Sequence, residues 1–93
     1  MARLTIDDIR RRIRRLDYVV SAHAADELDD DNLTILDLEN IILTGQITER
    51  QRDRATHEVK CIVSGSTLQG EAAEAVVKSG LGGRLVVITV YVC

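Results

Sequence analysis

The 93 residues allow one domain, spanning 1–93, with room for a single modest core. Phe and Trp are absent and only Tyr18 and Tyr91 are aromatic, so that core is aliphatic; 45% hydrophobic against 29% charged residues excludes a disordered chain. A net charge of −3 argues mildly against a nucleic-acid binder, and no apolar run reaches the ~20 residues that span a bilayer.

The chain opens with "MARLTIDDIRRRIRR", which lacks the apolar stretch of a signal peptide. Two cysteines, Cys61 and Cys93, are too few for a disulfide framework, so the expected setting is the reduced cytoplasm, with no membrane partner. A first helix is expected from about Thr5 to Leu16, capped by Thr5 and started by Asp7 and Asp8. Ile6, Ile9, Ile13 and Leu16 form a narrow apolar stripe; five arginines between residues 10 and 15 occupy the remaining circumference and should face water. "YVV" leads into a short second helix capped by Ser21, which "DDDN" terminates because acids oppose the dipole there. A third helix starts at Thr34 with a capping box to Asp37 and stops at Gly45, read as a left-handed cap. Ile35, Leu36, Leu38, Ile41, Ile42 and Leu43 cover most of its circumference and predict burial. Glu39 lies inside that apolar arc and needs a partner.

Beyond Gly45 the period becomes two. "QITERQ" reads as a strand, "DRAT" as a turn and "HEVKCIVSG" as the next strand. "STLQG" is a turn and "EAAEAVVKS" a third strand. "GLGG" then makes a hairpin turn, lacking the Gly-Lys-Ser/Thr ending of a phosphate loop. "RLVVITVYV" is apolar on both faces, the pattern of a central strand covered on both sides. The expectation is an α+β domain, with about three N-terminal helices packed on an antiparallel sheet of about four strands.

Three tracts, "HAADEL", "LTILDLENIILTGQITERQRDR" and "GRLVVITVY", in this order and spacing, resemble the domain-of-unknown-function family DUF4258 over roughly residues 16 to 91. Its members typically show a histidine-alanine helix start, a "TG-I-ERQ-DR" passage, a lysine in the following strand and a C-terminal "VITVY". The resemblance implies a relative of the small RelE-like and MqsR-like toxins, whose helices pack on an antiparallel sheet. It also implies an endoribonuclease (mRNA interferase) activity and an antitoxin with a small zinc-binding region. Many relatives carry arginine where Glu27 stands and an aromatic where Val59 stands, which puts phosphate contact at Glu27 in doubt.

Metal-free RNA cleavage needs a base, an acid and cations that stabilise the phosphorane. His23, with Glu27 four residues on, can serve as an acid–base group or tie its helix to a loop. Tyr91 can protonate or orient the scissile phosphate, or be a core-edge tyrosine. It is expected on one face with Leu85, Val87 and Thr89. Lys60 and Lys78 stand in apolar strands, where they can contact phosphate or snorkel to water; the family pattern favours Lys60. Arg50, Arg52 and Arg54 form a basic edge that can bind phosphates; Arg50 can instead pair with Glu39, and Arg52 and Arg54 read rather as a solvated loop, while Arg84 is a further phosphate candidate. No metal ligand set or cofactor is expected: His57 and Cys61 share a strand face but have no zinc spacing. The expectation is a toxin-type endoribonuclease with His23, Lys60 and Tyr91 in catalysis and Arg50, Lys78 and Arg84 on RNA. The rival is a non-catalytic protein-interaction module. Open sheet edges leave room for a second copy or another chain.

Overall fold

A computed structural model describes residues 3 to 93. Its elements are α1 (Ile6–Arg14), β1 (Tyr18–Val20), α2 (Ala22–Asp30), α3 (Ile35–Thr44), β2 (Gln46–Arg52), β3 (Val59–Ser66), β4 (Ala72–Ser79) and β5 (Leu85–Val92), with a 3₁₀ turn at Leu81–Gly83. The α+β class is as expected. The sheet has five strands rather than four, in the order β1-β5-β4-β3-β2, and is mixed: "YVV" forms β1, parallel to β5, while all other pairs are antiparallel. Three residues are too few to show a period, so the signal of β1 was its β-branched pair alone.

The capping residues act as the sequence suggests. Thr5 and Asp8 close a capping box on α1, Thr34 and Asp37 close one on α3, and Ser21 accepts from the Ala24 N–H. Gly45 differs: its φ is −86°, not left-handed. It is glycine because a Cβ would meet Val63 Cγ1 at 2.5 Å and the Ile41 carbonyl oxygen at 2.6 Å. Close packing of α3 on β3 is the constraint there.

All three helices cover one sheet face. Ile9 and Ile13 of α1, Ala24 and Leu28 of α2, and Leu38, Ile41 and Ile42 of α3 join Cys61, Val63, Ala73, Ala75, Val77, Leu85, Val87 and Val90 in one buried cluster. Ile35 and Leu36 are 44% and 59% exposed, so α3 buries a single stripe rather than most of its circumference. Glu39 is satisfied by the Tyr18 hydroxyl, which donates to it at 2.6 Å, and not by Arg50. Burial, followed by that hydrogen bond to Glu39, pushes the Tyr18 phenol up to about 12.

The opposite sheet face carries no second layer. Lys60, Ile62, Ser64, Glu74, Val76, Lys78, Val86, Thr89 and Tyr91 are all half-buried on it, so β5 is covered on one side only, contrary to its sequence pattern. Two bulges set which residues lie here. A register shift between Val76 and Val77 sets Val77 opposite Val87 and Val76 opposite Thr89, leaving Ile88 extra. Leu85 and Val87 therefore face the helices, and Tyr91 and Thr89 face away. A shift between Ile47 and Glu49 does the same in β2 and turns Arg50 to the helix side, opposite Cys61.

Candidate functional site: an arginine-lined hollow

The registers place Arg52 beside Val59, Lys60 beside Lys78, and Ser79 beside Leu85, so these strand ends share one end of the sheet. Arg84 precedes β5 at that end, where its Nε lies 3.6 Å from Asp17, itself bonded to Arg12 at 2.8 Å. The opposite end holds the β3–β4 turn, Glu71 and the C-terminus of β5. There Asp37 accepts from the Leu68 N–H and Glu27 from the Val90 N–H. Asp26, Asp29, Asp30 and Asp31 follow on the same α2 turns and its C-cap. Between residues 16 and 49 the chain has no lysine or arginine at all. The net charge of −3 thus conceals a molecule with a basic end and an acidic end.

At the basic end lies a hollow of ≈ 720 Å³ lined by Arg3, Leu4, Arg50, Arg52, His57, Glu58, Val59 and Ser79. Arg3 and Leu4 enter from the segment ahead of α1, the two arginines from β2 and His57 from the β2–β3 hairpin. Arg50 is held by its Nη2 donating to the Leu4 carbonyl at 2.9 Å, while its buried Nε has no acceptor. Among the described residues, Arg3, Arg50 and Arg52 take part in no ion pair. A guanidinium without a carboxylate, with a donor out of water, is unusual unless an anion completes it.

The hairpin is built by Asp53. Its carboxylate accepts from the Ala55 and Thr56 N–H groups, its carbonyl accepts from the His57 N–H, and its own N–H donates to the Glu58 carbonyl. The Thr56 and Ala55 amides hold the Asp53 carboxyl below its ordinary value. His57 is exposed and left-handed, at φ 62°. It lies outside β3, so it shares no strand face with buried Cys61. Burial pushes the Cys61 thiol up, against an opposing pull from Arg50. The hydrogen bond and charge of Lys78, at 2.7 Å, hold Glu58 below the usual carboxylate range.

Of the residues assigned from sequence to catalysis or RNA, Arg50 alone lines the hollow. Lys60 and Lys78 face each other across β3 and β4 on the open face, with Lys78 paired to Glu58 and the Lys60 charge felt by Asp53. Tyr91 is on that face too, one end of a row in which the Tyr91 and Ser64 hydroxyls both donate to Glu74. That carboxylate pushes the Tyr91 phenol up to about 12, while the Ser64 and Tyr91 hydroxyls hold Glu74 low. His23 belongs to α2 on the other side of the sheet, 69% exposed, with Nε2 3.3 Å from Glu27. The structure does not bring His23, Lys60 and Tyr91 into one site. The sequence reading missed Arg3 and His57 as lining residues, and favoured a solvated loop over a phosphate contact for Arg52. The i, i+2 spacing of Arg50 and Arg52 was the available signal.

A family profile described as a domain of unknown function, DUF4258, matches residues 20–92. The chain belongs to the DUF4258 family. No curated protein and no solved structure matches it. Within this DUF4258 domain the matched region holds every lining residue of the hollow except Arg3 and Leu4. No three His, Cys, Asp or Glu side chains gather as a metal set among the described residues, and no helix is long and apolar enough to cross a membrane.

Proposed function

We propose that this DUF4258 domain is a RelE-like, toxin-type endoribonuclease that acts in the cytoplasm, and that it cuts single-stranded RNA at the arginine-lined hollow. The observation that carries this reading is the set of three guanidiniums without carboxylate partners, one of them with a buried, unpaired Nε. A phosphodiester supplies the missing charge and acceptors, and arginine's planar fork suits it. The pentacoordinate phosphorane carries more negative charge than the ground state, so the same donors stabilise the transition state preferentially. The volume of ≈ 720 Å³ suits a nucleotide unit rather than a duplex. Lys60 and Lys78 on the open face and Arg84 beyond β4 would guide the flanking phosphates as charges that position without reading sequence.

The Tyr91 hydroxyl already donates to Glu74, and His23 lies on the helix side of the sheet beside Glu27, away from the hollow, so in this proposal proton traffic runs elsewhere. An antitoxin would mask the basic end or extend the sheet at β2, whose outer edge is unpaired in the strand order.

The test is incubation of the full chain with single-stranded RNA in a chelator, scored for 2′,3′-cyclic phosphate ends, beside induced expression in a bacterial host. Cleavage and growth arrest, both removed by Arg50→Ala, are the expected results. A second reading, a non-catalytic module that grips another protein, has its own support. Ile62, Val76 and Val86 are half-buried on the uncovered sheet face, beside Val19, which is 38% exposed. No cleavage, no growth effect and a defined protein complex would favour that module.

A further inference from the structure

We infer that His57 is the group in the hollow that accepts the 2′-hydroxyl proton of the RNA. This rests on the endoribonuclease reading and adds to it the residue that trades the proton. The hollow's side chains that can exchange protons are few. The three arginines stay charged, Ser79 offers a hydroxyl, and Glu58 is committed to Lys78 at 2.7 Å. Imidazole is the side-chain type that both binds and releases a proton near neutral pH. His57 faces Arg3 from the segment ahead of α1, Arg50 and Arg52 from β2, and Glu58 beside it; Asp53 lies below it in the hairpin.

Its backbone is compatible with that role. The hairpin requires a left-handed residue at position 57, where φ is 62°. Glycine takes that conformation freely, and asparagine, aspartate and histidine more readily than other residues. The turn holds an exposed imidazole on the lining that Arg3, Arg50 and Arg52 share.

In the step, a neutral imidazole nitrogen removes the 2′-O–H proton. The freed electron pair forms a bond from the 2′ oxygen to phosphorus, and the bond from phosphorus to the 5′ oxygen breaks with its pair on that oxygen. Water entering the open hollow protonates the 5′ oxygen, and the hydroxide so formed takes the proton from the imidazolium. The products are a 2′,3′-cyclic phosphate and a 5′ hydroxyl, with the histidine returned to neutral.

His57→Gly in the full chain separates chemistry from folding. It relaxes the hairpin, so the Tm should equal or exceed that of the unsubstituted chain. RNA affinity should stay within about threefold, because the arginines remain. The cleavage rate should fall by roughly 10²–10⁴, and added free imidazole should restore part of it. His57→Asn, which also tolerates the left-handed turn, should lose the same rate without rescue. If Arg50→Ala abolishes cleavage while His57→Gly cleaves at the original rate, the proton role is overturned and the endoribonuclease reading stands. An unsubstituted chain that cleaves no RNA overturns both.

Discussion

Two rows of polar side chains at β-strands differ in one respect. On the open face, Ser64, Glu74 and Tyr91 form a closed set: two hydroxyls donate to one carboxylate. In the hollow, Arg50, Arg52 and Arg3 take part in no ion pair, since the one acid on its lining, Glu58, is paired with Lys78, and the Arg50 Nε has no acceptor. A satisfied network stabilises a fold, whereas an unsatisfied one implies a missing partner. Tyr91 carries the side chain that looks chemical in sequence, yet its proton is already spoken for. Of the arginines left open, Arg50 reads as a phosphate candidate in sequence, Arg52 as a solvated loop, and Arg3 carries no signal.

The largest expected break of this contrast is Arg50→Ala. It should cut RNA cleavage by about 10²–10³ by analogy with removal of one oxyanion donor. Stability should change by only about 1 kcal/mol, the loss of the bond to Leu4; single-turnover cleavage and urea unfolding measure the two. Tyr91→Phe should do the reverse, lowering stability by about 1 kcal/mol while leaving cleavage within about twofold. Equal loss of cleavage from Tyr91→Phe would return the chemistry to the open face.

Titration sharpens the same point. Both tyrosines are pushed up to about 12, so ultraviolet absorbance should show phenolate forming near there and not near 10. A phenol whose folded pKa is raised contributes stability below its unfolded value of about 10, lost as pH rises through about 12. Glu74 is depressed, so its contribution exists above the unfolded carboxylate range and fades as pH falls through its lower folded value. Glu74→Gln should return Tyr91 toward 10 and leave Tyr18 in place. The smallest effect is that of Lys78→Ala. It frees the Glu58 carboxylate at the rim, raising it toward its ordinary value and weakening RNA binding by a few-fold, most clearly at low salt.

Much of the fold was legible. Thr5, Ser21 and Thr34 cap three helices because a short side-chain oxygen before an apolar period has one common use. The alternation in β3, with Val59, Cys61 and Val63 on one face, is legible in the sequence, and Cys61 and Val63 are buried. Tyr91 was placed on the wrong face because an extra residue at Ile88 shifts parity without leaving a compositional mark. Arg50 was recognised, but its companions were not: Arg3 is 47 positions away, and His57 read as a strand residue while the chain turns left-handed there.

The sequence by itself determined the helix starts, the α+β order, the aliphatic core and the family, because these rest on local periods, caps and short motifs. Tertiary structure alone decided the fifth strand, the faces beyond each bulge, and the charge separation hidden beneath a net −3. It also decided which cations stay unpaired. Pairing depends on distances between groups remote along the chain, and one inserted strand residue reverses them.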